Sequence, residues 1–306
     1  MAFTAKDVQA LRERTGCGMM DCKKALTETD GDMDKAIEFL REKGLAAATK
    51  KAGRIAAEGI AYAVVEGNVG VVVEVNSETD FVAKNETFVK FVETIAKTII
   101  VNAPADMDAL MASKAVGEEF TVEELLREKI LVIGENIKIR RFERAEGFLS
   151  AYNHGGGRIG VLVKMNLDDV AAKSDVPAEV GKDVAMQIAA LNAPYLSKET
   201  VPAEVIEKEK EILITQIKND EKNKNKPDNI IEKMVIGRIN KYYENNCVLN
   251  QAFVKDGDKT VAQYVDAKSK EIGGKIEIAS FIRFEKGDGL EKRSDNFADE
   301  VANMVK

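Results

Sequence analysis

Residues 60–85 read IAYAVVEGNVGVVVEVNSETDFVAKN, and this stretch decides the fold. Two runs rich in β-branched residues, 60–65 and 69–75, flank the turn Glu66-Gly67-Asn68, which is the pattern of a β-hairpin. Asn85 then precedes apolar residues at helical spacing, so the spacing predicts a helix with Asn85 at its N-cap. The core therefore begins with a hairpin that is followed by a helix.

The connection between the second strand and this helix places an aromatic residue beside an acid. Asp80 and Phe81 stand among turn-forming and charged residues, where a solvated loop gains nothing from an aromatic ring. In one interpretation Asp80 caps a turn and Phe81 packs into the sheet. In the other, the pair is an exposed wedge at a strand-to-helix junction and enters another protein. The residue pattern leaves both interpretations open.

The same order of elements occurs a second time along the chain. A helix predicted from Thr121, with Glu124 completing a capping box, leads into a strand at 137–142. A second hairpin, a helix and a return strand are predicted at 148–152 with 159–165, at 179–191 and at 274–285. The repetition predicts an α+β fold with a duplicated core, in which each copy is an antiparallel sheet with helices on one face.

Three further segments extend this core. Residues 1–53 contain three short predicted helices, with Thr4, followed by Asp7 three residues on, as the cap of the first and Asp32 as the cap of the third. The third helix is predicted to end at Gly44 before a lysine- and alanine-rich linker at 45–54, and the three helices form either a minor helical cap or a partner-binding module. Residues 200–245 predict two amphipathic helices in an antiparallel hairpin, which is self-contained or serves a partner or self-association. Residues 286–306 predict a short helix on a tether. The predicted domains are 1–53, 54–146, 147–199 with 246–285, 200–245, and 286–306.

Composition argues against several classes of function. The net charge of −7 over 306 residues does not suit direct binding to nucleic acid, which requires neutralisation of phosphates. The start of the chain lacks a signal-peptide pattern and no apolar run approaches the length that a bilayer requires, so no membrane association is expected. The three cysteines, Cys17, Cys22 and Cys247, form no CxxC, which favours a reducing cytoplasm and no zinc site.

The glycine-rich segment near the second hairpin is the one candidate cofactor motif. Residues 155–160 match G-x-G-x-x-G by letter, but a strand follows them where a dinucleotide site requires a helix. The glycines are therefore expected to form a hairpin turn with positive φ angles. His154 is the only histidine, and neither hairpin places a serine- or cysteine-centred catalytic constellation beside it. The sequence predicts no enzyme active site, no cofactor and no metal.

Six motifs resemble, in order, those of the bacterial elongation factor Ts family. Two are long enough to serve as signatures, namely TGCGMMDCKKAL at 15–26 and TDFVAKN at 79–85. The others are IGEN at 133–136, YNHG at 152–155, RIGVLV at 158–163 and FIRFE at 281–285. Because the similarity runs from about Thr4 to Met304, it is much more specific than a short pattern match.

This resemblance implies both an architecture and an activity. The architecture is a ubiquitin-associated-like three-helix domain, a duplicated α+β core, an inserted coiled-coil arm and a C-terminal helical module. The activity is guanine nucleotide exchange on elongation factor Tu, which the family binds in the GDP-bound and nucleotide-free states. The alternative is a non-catalytic adaptor that binds a protein partner through its N-terminal helical domain.

The resemblance also assigns partner-binding residues. Asp80 and Phe81 correspond to a wedge that inserts near the magnesium and switch region of the partner's GTPase domain. The positions that correspond to other contacts with this partner are Arg12, Met19, Met20 and Lys23 in the N-terminal helices, Ile133 and Gly134 in a core loop, and His154 on the far side. The C-terminal module, around Phe297 to Met304, is implied to contact the GTPase domain as well.

Overall fold

The computed structural model describes residues 3–223 and 226–292. Helices and antiparallel sheets together make an α+β fold, which confirms the predicted fold class. The chain divides into two compact units, the first drawn from the described residues of 1–145, 153–160 and 284–306, and the second from 146–152 and 161–283. The predicted C-terminal helix around Phe297 to Met304 lies outside the described residues.

The first unit begins with three helices that pack on one another: α1 (Ala5–Thr15), α2 (Met19–Glu28) and α3 (Met33–Lys51). Thr4 and Asp7 form a capping box at the start of α1, and Asp32 accepts two backbone hydrogen bonds at the start of α3. The interior of these helices is apolar and is formed by Val8, Leu11, Cys17, Cys22, Ala25, Leu26, Ala36 and Leu40. The predicted caps are therefore confirmed.

Helix α3 is longer than the sequence predicted. The predicted stop at Gly44 and the predicted linker at 45–54 are wrong, because the helix continues to Lys51. A side chain at Gly44 would approach the carbonyl oxygen of Arg127 to 3.3 Å, so this glycine permits close packing of α3 on a later helix. The alanines that follow it favour helix and extend α3 by two further turns.

The first sheet has the strand order β1-β2-β3, from β1 (Glu58–Glu66), β2 (Val69–Ser77) and β3 (Lys138–Glu146). The hairpin is confirmed, with Val65 opposite Gly70 in an antiparallel register. Four helices follow it: α4 (Asp80–Ala83), α5 (Glu86–Asn102), α6 (Met107–Ala112) and α7 (Val122–Ile133). Helix α5 packs on β1 and β2 through its apolar face, which contains Phe88, Phe91, Val92, Ile95 and Ile99. Asn85 caps α5 as predicted.

The second sheet repeats this order as β4-β5-β8, from β4 (Phe148–His154), β5 (Ile159–Leu167) and β8 (Ile276–Glu285). Helix α8 (Val176–Leu191) follows the hairpin, as predicted. The sequence analysis did not predict the short strands β6 (Ala252–Phe253) and β7 (Asp256–Thr260) or helix α11 (Val261–Ile272). Two sheets of the same strand order agree with a duplicated core, although the duplication itself remains a prediction.

The second unit also contains the helical hairpin predicted between 200 and 245. Helices α9 (Ala203–Asn219) and α10 (Asp228–Asn246) pack against each other. Their shared apolar interior contains Leu213, Ile217, Ile231, Val235 and Ile239. Among the described helices, none combines the length and the apolar character that a bilayer-spanning segment needs.

Candidate functional site

Phe81 projects from the junction between the first hairpin and helix α5. The side chain is 81% exposed, although its neighbour Ala83 is buried. The interpretation in which Phe81 packs into the sheet is therefore wrong. Thr79, not Asp80, caps the short helix α4, because the Thr79 hydroxyl accepts a 3.3 Å hydrogen bond from the amide of Val82. The junction thus presents an aromatic ring to solvent, at a cost that its own packing does not offset.

Asp80 is an exposed carboxylate beside this ring. The ammonium group of Lys84 donates a 2.7 Å hydrogen bond to Oδ2 of Asp80, one turn further along the chain. This hydrogen bond, and to a lesser degree the positive charges of Lys84 and Lys286, lower the pKa of Asp80 below its ordinary value. Asp80 is therefore ionised at neutral pH and can accept hydrogen bonds from another molecule.

The backbone just before Asp80 is held by the carboxylate of Glu135, which follows helix α7. Oε2 of Glu135 accepts hydrogen bonds from the amides of Glu78 and Thr79, each at 3.0 Å. Oε1 of Glu135 accepts a 2.7 Å hydrogen bond from the hydroxyl of Thr79. One carboxylate therefore binds three donors in two adjacent residues, an arrangement that fixes their orientation.

A second set of contacts joins the same two segments with the roles exchanged, so that Asn136 donates and Glu78 accepts. The amide of Asn136 donates to Oε1 of Glu78 at 2.6 Å, and Arg54 donates to the same oxygen at 3.3 Å. The side-chain amide of Asn136 donates in turn to the carbonyl oxygen of Arg54 at 2.8 Å. These contacts form one closed network, which joins the residues that follow α3, β2 and α7. We call it the 78–136 clamp, and it consists of Arg54, Glu78, Thr79, Glu135 and Asn136.

The clamp brings together two of the predicted contact segments, 80–81 and 133–134. Gly134 is exposed, caps helix α7 with a φ of 88°, and donates its amide to the carbonyl oxygen of Ile130 at 3.1 Å. Ile133 is half-buried and packs against the core of the first sheet. Lys51, at the end of α3, donates to the same carbonyl of Ile130 at 3.2 Å. The segment predicted as a linker therefore supports the site.

The four predicted contact residues of the N-terminal domain lie on α1 and at the start of α2. Met20 is 73% exposed and Met19 is 47% exposed, and the side chains of Arg12 and Lys23 are exposed as well. Exposed methionines flanked by cations are suited to protein contacts, since the flexible thioether adapts to an apolar surface. Their contact role remains a prediction.

His154 is the exposed last residue of strand β4. Its neighbour Asn153 accepts from the amide of Ala63 at 2.7 Å and donates to the carbonyl of Ala63 at 2.8 Å. The glycines of the following turn have positive φ angles of 58°, 65° and 88°, and strand β5 begins two residues later. The prediction of a hairpin turn is confirmed, and the motif does not open a helix as a dinucleotide site requires.

The sequence pattern alone did not identify the residues that hold the site. Glu135 and Asn136 belong to the IGEN motif, in which only Ile133 and Gly134 had a predicted role. A weak signal was present, because acid and amide side chains beside a turn commonly form hydrogen bonds with backbone groups. The groups that they bind lie 56 to 82 residues earlier in the chain, so sequence spacing could not identify them.

The fold and the site define a class of protein: an α+β protein in which a hydrogen-bonded strand-to-helix junction exposes an aromatic side chain. A family profile described as "Elongation factor TS" matches residues 78–288. The elongation factor Ts of Clostridium perfringens (strain 13 / Type A) is 54% identical over 307 residues, which cover 99% of each chain. Those of Clostridium kluyveri (strain NBRC 12016) and Clostridium botulinum (strain Eklund 17B / Type B) are 51% and 50% identical, also over 99% of each chain.

The chain belongs to the elongation factor Ts family. Members of this family act in the elongation step of protein biosynthesis as nucleotide exchange factors, and not as enzymes in the usual sense.

Proposed function

We propose that this chain promotes the release of GDP from elongation factor Tu, and that Asp80 and Phe81 insert near the magnesium and switch region of that partner. The observation that carries the proposal is the 81% exposure of Phe81 on a junction that the 78–136 clamp holds in place. A chain that exposes an aromatic ring on a fixed support gains from it when the ring enters a partner.

The physical basis of exchange is linkage, not reaction chemistry. A bound guanine nucleotide is held by its phosphates, by backbone amides and by a magnesium ion. A factor that binds the nucleotide-free partner more tightly than the loaded partner weakens nucleotide binding by the same ratio. Entry of the Phe81 ring would displace the elements that hold the magnesium ion, and the ionised carboxylate of Asp80 would accept hydrogen bonds from the displaced elements.

The distortion of the partner requires binding free energy from other contacts. We assign this role to Arg12, Met19, Met20 and Lys23 in the N-terminal helices, to Ile133 and Gly134 beside the wedge, and to His154. The exposure of Met19 and Met20 supports the first group, and the clamp that joins 133–136 to 78–81 supports the second. The five-part domain division, the ubiquitin-associated-like and coiled-coil assignments, self-association through the arm and a cytoplasmic location belong to the same proposal.

The test is the dissociation of a fluorescent GDP analogue from purified elongation factor Tu, chased with excess unlabelled GDP, with and without this chain. The proposal expects a release rate that rises with the concentration of the chain and then saturates. The adaptor alternative expects a complex on a sizing column with an unchanged lifetime of bound GDP. An unchanged lifetime at concentrations that form the complex would overturn the proposal.

A further inference from the structure

We infer that Glu135 is a positioning residue for exchange: its carboxylate fixes the strand-to-helix junction so that Phe81 enters the partner already oriented. This inference rests on the proposed function and extends it to a residue that does not itself form the wedge.

On the side of Thr79, the other restraints are the contacts of Arg54 and Asn136 with Glu78 and a 3.0 Å hydrogen bond from the Ser77 hydroxyl to the carbonyl oxygen of Thr79. Helix α4 has four residues, too few for a helix to be stable through its own hydrogen bonds. The Phe81 ring is exposed and cannot anchor the backbone by packing. The ion pair between Asp80 and Lys84 is exposed on both sides, and such pairs contribute little. Burial of Ala83 fixes the far end of the turn, and at the near end Glu135 supplies the long-range hydrogen bonds to Thr79, the residue next to Asp80.

The chemistry of the contact requires a glutamate. All three donors point at carboxylate oxygens: two amides at Oε2 and the Thr79 hydroxyl at Oε1. A glutamine that keeps its oxygen towards the two amides turns its NH2 group towards the Thr79 hydroxyl, so this hydrogen bond must reverse and all three contacts lose the charge of the carboxylate, which makes them weaker. An aspartate would be shorter by one methylene and would not reach both segments at these distances.

The expected consequence is kinetic. A junction that is not held before binding must be ordered during insertion, and this ordering cost falls on the step in which Phe81 distorts the partner. The remaining contact surfaces are unchanged. We therefore expect Glu135→Gln to lower the maximal rate of GDP release, by about tenfold, while the concentration giving half-maximal release changes by less than about twofold.

Helix α7, which precedes Glu135, offers a matched control. At the start of α7, Glu124 accepts hydrogen bonds from the amide and hydroxyl of Thr121 at 2.9 and 3.1 Å, the same chemistry as at Glu135 and Thr79. Glu124→Gln should leave both kinetic parameters of release near those of the unaltered chain. Thr79→Val, which removes one contact of Glu135 together with the cap of helix α4, should lower the maximal rate, and Thr79→Ser, which keeps the hydroxyl, should retain it.

The experiment is a double-mutant cycle between Glu135→Gln and Phe81→Ala in full-length chain, read out as GDP release from elongation factor Tu at saturating factor. If Glu135 acts by positioning Phe81, then Glu135→Gln changes the rate by less than about twofold once Phe81 is alanine. Equal effects in both backgrounds, or a maximal rate unaffected by Glu135→Gln, would overturn the inference. Should Glu135→Gln not fold, Thr79→Val takes its place in the cycle. Failure of the proposed function itself would appear separately, as equal release rates with the unaltered chain and Phe81→Ala.

Discussion

The amide of Gly287 donates a 2.8 Å hydrogen bond to Oε1 of Glu74, a carboxylate that is fully buried in strand β2. The same carboxylate is paired with Arg140 at 3.0 Å and with Arg141 at 2.6 Å. One acidic side chain therefore joins three parts of the first unit: the hairpin, the third strand and the segment that follows β8. A buried charge with this many partners is sensitive to the loss of any one of them.

Glu74→Ala should destabilise the fold by about 3–5 kcal/mol, because it leaves two arginines without their buried counter-charge. The measurement is urea-induced unfolding followed by circular dichroism. Glu66→Ala, an exposed glutamate at the end of β1, is the control and should change the free energy of unfolding by less than about 0.5 kcal/mol. Equal effects of the two substitutions would contradict the role assigned to Glu74.

Gly287→Ala should also destabilise the fold, by at least about 1 kcal/mol more than Gly289→Ala. The two glycines have nearly the same φ, 70° and 71°, so an added side chain strains the backbone equally at both. Only at Gly287 would the new Cβ lie 2.1 Å from a backbone oxygen, that of Ala57. Thermal unfolding of the two variants isolates this clash, and equal melting temperatures would show that the close approach is absent.

The three cysteines should react slowly with thiol reagents in the folded chain. Cys17, Cys22 and Cys247 are all buried, and burial raises the pKa of each thiol, that of Cys247 to about 11. Protonated, inaccessible thiols are poor nucleophiles. Titration with Ellman's reagent at pH 8 should therefore show little reaction until urea is added; rapid reaction of any thiol without urea contradicts the packing.

The raised pKa of Cys247 also makes the stability of the fold depend on pH. Between pH 9, where the thiol ionises in the unfolded chain, and about 11, where it ionises in the folded chain, only the unfolded state loses the proton. The stabilising contribution of this thiol is therefore complete below pH 9 and is lost as the pH rises towards 11. The free energy of unfolding, measured from pH 8 to 11, should fall less steeply with pH for Cys247→Ala than for the unaltered chain. Identical slopes would contradict the buried environment of Cys247.

Polar substitution of the exposed methionines should affect binding and not the maximal rate. Met19→Gln with Met20→Gln removes apolar contact area from a surface that does not stabilise the fold. We expect the concentration for half-maximal GDP release to rise about tenfold, with an unchanged melting temperature and an unchanged rate at saturation. A fall in the saturating rate instead would place these side chains in the distortion step.

Short sequence patterns correctly predicted those helix starts that are determined by residues within a few positions of one another. The capping boxes of Thr4 with Asp7 and of Thr121 with Glu124 mark helix starts that the structure confirms, since each box is complete within four residues. The missed helix α11 carries the same signal, because Thr260 and Gln263 form a third capping box. That omission was avoidable from sequence.

Features that depend on distant residues could not be predicted. Glycine commonly ends a helix, and only the close approach of Gly44 to the backbone of Arg127, in another helix, explains why a glycine stands inside α3. The junction that carries the exposed Phe81 is likewise held by a hydrogen bond between Thr79 and Glu135, which lie 56 residues apart in sequence. A pattern of single residues does not carry this information, so the two interpretations of Phe81 were separable only in three dimensions.

The most direct test of the central claim is the rate of GDP release from elongation factor Tu at saturating chain, compared for the unaltered chain and Phe81→Ala. Because the ring is exposed, the substitution should leave the melting temperature unchanged, whereas Phe91→Ala in the core should cost about 3–5 kcal/mol of unfolding free energy. The account predicts a release rate more than about tenfold lower for Phe81→Ala, a loss of about 1.4 kcal/mol or more of stabilisation in the distorted complex. Equal release rates for a folded Phe81→Ala and the unaltered chain would contradict it.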